Sequence, residues 1–265
     1  MTTPTLRNGE QKVFFQAGGQ WCYLWTPPTF KTTRPISLAI HHHGARGFVK
    51  EGAADWLEEK SKLSYLKAVM DGAQCAIAGS HACGDHWGNK EAVAANAALL
   101  GTLNSFVTID RDRVGLMGGG LGGALVWNSV LGPMAGLVKV VVVMQAVASL
   151  ESVIREHKFK VPLLTAYGLP QDTSDDAAID SIAQHDPLRR LRGLRFGTPL
   201  PRTVIYHGGK DENIPPNSHA IPLAEALRRA RGEVTLELFP VVGHAVYAMG
   251  EEIERRLEAF FSSSL

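Results

Sequence analysis

Cysteine is scarce in this 265-residue chain. Cys22, Cys75 and Cys83 are too few for a fully paired disulfide framework, and their number fits a reducing compartment. An excess of one charge is also missing. Twenty-seven basic residues face 26 acidic ones, so no global field draws the molecule to nucleic acid or to an anionic membrane. No hydrophobic run is long enough for a bilayer, since the most apolar stretch, GLVKVVVVMQAVASL, is too short and carries Lys139. The opening MTTPTLRNGEQKV lacks the basic and apolar regions of a secretion signal. Internal repeats and low-complexity segments are absent as well. These absences lead to the expectation of a cytoplasmic globular protein with a small-molecule partner, no nucleic acid and no membrane; a homo-oligomer stays open.

Apolar residues make up 45% of the chain and charged residues 20%, enough for one large core over residues 1–265. Strand-like runs alternate with helix-length patterns. KVFFQAG and QWCYLWTPP flank a Gly18-Gly19 turn, and ISLAIHHHG reads as a buried strand. AADWLEEKSKLSYLKAVMDG reads as one amphipathic helix closed by Gly72. AQCAIAGS, DRVGLMG, VKVVVVMQA, PRTVIYHGG and VTLELFP supply further strands, with helices between them and a last helix in GEEIERRLEAFFSS. Repeated switching between the two periods predicts an α/β fold, a mostly parallel central sheet with helices on both faces. Residues from about 149 to 201 break the alternation and read as a small cap.

The stretch RVGLMGGGLGGALVW passes from strand to helix through a cluster of glycines. Gly118, Gly120 and Gly123 satisfy the G-x-G-x-x-G pattern of a dinucleotide loop, whose amides bind phosphate at a helix N-terminus. That reading needs an acidic residue at the end of the next strand, which instead ends in Met144, Gln145 and Ala146. The same residues fit a nucleophile elbow, G-x-S-x-G, with Gly120 in the serine's place. Two partners for such an elbow follow in order, Asp211 in VIYHGGKDENIPP and His244 in ELFPVVGHAVY, each beyond a strand end.

With His43-Gly44-Ala45, IDRDRVGLMGGGLGG, HGGKDENIP and Gly243-His244 in this order, the chain resembles the α/β-hydrolases, small carboxylesterases and dienelactone-hydrolase-like enzymes in particular. The resemblance runs from LAIHHHG to the C-terminal helix. It implies a cofactor-independent serine hydrolase of an ester or related acyl bond. His244 would be the general base, Asp211 would orient it, and the amides of Ala45 and Leu121 would form the oxyanion hole. Gly120 has no side chain, so the chain is expected to be inactive in acyl-enzyme chemistry. An engineered loss of serine and a natural member that binds without hydrolysing, or that uses His244 as a base, both fit.

Other residues are candidates for lesser roles. Ser80 and Cys83 lie in GSHACGDHWGN, after a strand, but on no elbow. His41, His42, His43, His81 and His86 could suggest a metal; alternation separates His42 from His41 and His43, and no metal is expected. Arg189, Arg190, Arg192 and Arg195 read as a solvated face, or as a contact for an anionic substrate group. Trp87, Trp127 and Tyr167, with Met144 and Tyr247, are candidates for an apolar substrate pocket, against a background of ordinary core packing.

Overall fold

The structure, a computed structural model, describes residues 4–265. The chain opens with a hairpin of β1 (Gln11–Ala17) and β2 (Gln20–Thr26), followed by β3 (Ile36–His42). A two-stranded ribbon, β4 (Val49–Lys50) with β5 (Ala53–Ala54), precedes α1 (Asp55–Glu58) and α2 (Lys60–Ala73). Then come β6 (Ala76–Ser80), α3 (Lys90–Leu103), β7 (Ile109–Gly119), α4 (Gly122–Val130) and β8 (Val140–Met144). A helical excursion holds α5 (Leu150–Arg155), α6 (Lys160–Ala166), α7 (Asp175–Ile182) and α8 (Pro187–Arg192). The chain closes with β9 (Arg202–Gly208), α9 (Ala220–Arg229), β10 (Val234–Phe239) and α10 (Glu251–Ser262).

Eight strands form one sheet in the order β1-β2-β6-β3-β7-β8-β9-β10. The hairpin is antiparallel and β2 meets β6 antiparallel; every other pairing is parallel. Every residue of β3 and of β8 is buried, as strands covered on both faces require. Their side chains alternate between two cores. Leu38, Ile40, Val141 and Val143 join Leu99 of α3 and Leu223 of α9, whereas Ala39, Val140 and Val142 join Leu66 of α2 and Leu257 of α10.

This division positions the site. The connection leaving β3 turns to the α2 face, and the one leaving β7 turns to the α4 face. Neighbouring strands whose connections diverge leave a crevice at their carboxyl ends, where open α/β sheets bind ligands.

The helix expected over residues 53–72 is broken. Ala53 and Ala54 belong to the ribbon, and Glu59, at φ −81° and ψ 122°, separates α1 from α2. Gly72 does not close α2 either, because Gln74 in the left-handed region does. A β-carbon on Gly72 would come within 2.6 Å of the Glu258 carbonyl, so its small size serves the close approach of α10.

Candidate active site

The turn after β7 is built around Gly120, at φ +52°. Its amide donates to the Met144 carbonyl and its carbonyl accepts from Val147 and Gly123, which fixes the turn between β8 and α4. A β-carbon on Gly120 would meet nothing closer than Gly44 Cα at 3.8 Å. The flanking glycines have no such room. A β-carbon on Gly122 would lie 2.5 Å from the His42 carbonyl oxygen, and one on Gly123 would lie 2.3 Å from Ala146 Cβ. Those glycines are demanded by packing, whereas position 120 has space for a side chain and only its backbone angle favours glycine.

Asp211 and His244 come from the loops after β9 and β10. Gly208 lets these loops touch, since a β-carbon there would overlap the Gly243 carbonyl, and Lys210 N–H donates to the Val242 carbonyl at 2.9 Å. His244 Nδ1 donates to Asp211 Oδ2 at 2.9 Å, and Asp211 Oδ1 accepts from the amides of Asn213 (2.9 Å) and Ile214 (3.0 Å). Burial pushes the Asp211 carboxyl up, but hydrogen bonds from His207, His244 and Ile214 outweigh it and hold it well below the usual carboxylate range. The carboxylate thus places the proton of neutral His244 on Nδ1 and leaves Nε2 as a lone-pair base.

Gly120, His244, Ala45 and Leu121 all line one cavity of about 470 Å³. The amides of Ala45 and Leu121 donate to no acceptor among the described residues, so both are available to an oxyanion. One wall is apolar, with Trp87, Val147, Phe159 and Ile214 packed together; Arg46, Asp55, Lys62 and Asp85 also line the cavity.

Of the expected pocket residues, Trp87 lines the cavity, and so does Tyr247. Trp127 does not: it lies on α4, fully buried in the core shared with α3 and α9. Tyr167 supports the wall from behind, donating its hydroxyl to the Trp87 carbonyl at 3.1 Å, and Met144 is core. Neither Ser80 nor Cys83 lines the cavity, and Ser80 Oγ accepts from the Ala82 amide. The arginines of α8 and its flank are absent from the cavity too. Arg190 instead clamps the end of α4, donating to Asn128 Oδ1 at 2.7 Å and to the Leu131 carbonyl.

The histidines after β3 go different ways. His41 packs on Trp56 with ring centroids 4.2 Å apart, His42 meets Asn96, and His43 bridges the carbonyls of Gly44 and His81. Among the described residues no group of His, Cys, Asp and Glu is arranged to hold a metal. Two site residues were not anticipated. Gln145 lines the cavity at φ +37° with Oε1 unpartnered, and His207 lies behind Asp211. The HGGK immediately before Asp211 was the available signal for His207; for Gln145 there was none.

A family model described as the prolyl oligopeptidase family matches residues 77–265. Among solved structures, prolyl oligopeptidase B of Galerina marginata is similar over 96% of this chain and 35% of its own, at 14% identity and a TM-score of 0.67. A puromycin hydrolase is similar over 94% of this chain and 38% of its own, at 17% identity and a TM-score of 0.66. A mutant of the esterase E40 covers 98% and 86%, at 16% identity and a TM-score of 0.64. The chain thus spans little more than a third of the first two and most of the third. At these identities the shared property is the α/β-hydrolase fold. A search of curated proteins finds no match. Among the described residues, no helix is long and apolar enough to cross a membrane.

Proposed function

The chain belongs to the prolyl oligopeptidase family of serine hydrolases, and from that premise we propose that it is built to cleave an ester or related acyl bond of a small molecule. Asp211 and His244 are the acid and base, Ala45 and Leu121 the oxyanion donors, and Gly120 stands where the nucleophilic serine acts. The observation that carries this reading is the room at position 120, together with an acid–histidine pair 2.9 Å apart whose histidine lines the same cavity.

With serine at 120, Oγ would attack the acyl carbon while His244 Nε2 takes its proton. The two free amides would receive the developing oxyanion, and the imidazolium would return the proton to the leaving group. An ester with an apolar acyl part, of the kind small carboxylesterases accept, fits the wall of Trp87, Val147, Phe159 and Ile214. With glycine at 120 no acyl-enzyme forms, and the unengaged oxyanion donors make the chain a binder of such ligands.

The test is the Gly120→Ser variant. It is expected to hydrolyse p-nitrophenyl esters and to be labelled covalently by a fluorophosphonate, while the parent does neither at a comparable rate. A folded variant that remains unlabelled would refute the proposal.

A further inference from the structure

Two fully buried histidines lie on the core side of Asp211, and the chemistry described above uses neither. His207 Nε2 is 2.7 Å from the Ile214 carbonyl oxygen and 3.4 Å from Asp211 Oδ2. A carbonyl can only accept, so the Nε2 proton is present and is shared between the two oxygens. In the neutral form of this ring the lone pair is on Nδ1, a buried atom with no hydrogen-bond partner among the described residues.

His219 is the complement. Its Nδ1 lies 3.2 Å from the amide nitrogens of both Ala148 and Ser149. Amides can only donate, so Nδ1 is the acceptor and the ring carries its proton on Nε2. That N–H is likewise buried with no partner. One ring thus has a donor without an acceptor, and the other an acceptor without a donor. Orphaned polar atoms in a core each cost stability, and two complementary ones mark a missing link. His207 and Asp211 are both within electrostatic reach of His219, whose affinity for a proton is depressed first by burial and then by His207.

The backbone on the far side of His219 gives the link a role. Val147 N–H donates to the Gly120 carbonyl at 2.8 Å, so the turn at residues 147–149 touches the elbow at one end and His219 at the other. Ser149 also caps α5, which ties the helical excursion into the same turn.

We propose that His219 Nε2–H donates to His207 Nδ1 through one buried water, and that the two rings are positioning residues holding Asp211 in register with the elbow. The resulting chain runs from Gly120 through residues 147–149, His219 and His207 to Asp211 and His244. His207 withdraws charge from Asp211 Oδ2, the oxygen that faces His244, and so tempers how strongly the carboxylate favours the imidazolium. This rests on Asp211 and His244 being acid and base; fluorophosphonate labelling of Gly120→Ser tests that separately.

The inference itself needs no turnover. Long-range ¹H–¹⁵N spectra of the unmodified chain are expected to show both rings as Nε2–H tautomers, with the His207 Nδ1 resonance displaced by an accepted hydrogen bond. A His207 ring protonated on Nδ1, or an Nδ1 resonance that is undisplaced, would overturn it. In the same chain, His207→Phe is expected to move the His244 titration upward, because Asp211 loses a competing donor. His207→Gln, which restores an N–H, is expected to return the titration toward the parent. Equal midpoints in the parent and a folded His207→Phe, or equal shifts in both variants, would also overturn the proposal.

Discussion

Replacing Gly120 by serine asks the most of the reasoning, because a loss is easier to cause than a gain. The backbone angle sets the expense: a non-glycine residue in the left-handed region costs roughly 1–2 kcal/mol. For a chain of this size each kcal/mol lowers the melting temperature by about 2–4 °C, so a fall of roughly 2–8 °C is expected. Sterics add nothing, since the new β-carbon is 3.8 Å from its nearest neighbour. The gain is the whole covalent route. Removing a serine nucleophile from a working triad lowers kcat by about 10⁶-fold, and restoring one is expected to recover a large part of that factor if acid, base and oxyanion donors are in place. The assay is steady-state release of p-nitrophenol from acetate, butyrate and octanoate esters, with fluorophosphonate labelling read by intact mass. Gly122→Ser serves as the contrast: its β-carbon would sit 2.5 Å from the His42 carbonyl oxygen, and the variant is expected to be strongly destabilised. The reasoning is refuted if Gly120→Ser folds, melts within the stated range, and neither turns over esters nor takes the label.

In the serine-restored chain, Asp211→Asn is expected to lower kcat by about 10⁴-fold by misplacing the His244 proton, checked on the same esters. Stability should fall as pH drops below about 6.5. Burial first, then neighbouring histidines, hold His42 and His219 down to about 3, so between pH 6.5 and 3 the unfolded chain binds protons that the folded one does not. Each contributes a slope approaching about 1.4 kcal/mol per pH unit, seen in urea midpoints from pH 7 to 4.5 and reduced in His219→Phe. Asp211 acts in a lower window: its depressed carboxyl stabilises the fold above the ordinary carboxylate pKa, and that contribution fades only below about pH 4. Arg190→Met, which strips the buried Asn128 Oδ1 and the Leu131 carbonyl of their donor, is expected to destabilise by about 1–3 kcal/mol in urea unfolding and to leave ester turnover of the serine-restored chain nearly unchanged.

The parallel sheet was legible in the chain because fully buried strands leave unbroken apolar runs, and VVVVM and ISLAI are such runs. The boundary of α2 was not, since Gly72 looks like a helix terminator on the page and only the approach of α10 explains it. The same limit applied to Trp127 and Trp87. Both are large aromatics near helices, and what separates them is that Trp127 packs into the core shared with α3 and α9, whereas Trp87, in the turn before α3, lines the cavity.

The sequence alone determined which chemistry is open to this protein: an acid and a histidine in order after two strands, and at position 120 a residue with no atom that can attack. Local composition is enough for that, because the attacking atom must come from a side chain and glycine has none. Only the tertiary structure decided which of five clustered glycines could have carried a side chain, and that His207 and His219 lie behind the acid. Those facts depend on distances of 2 to 4 Å between segments far apart in the chain, and residues that meet only through folding leave no shared mark in the order of letters.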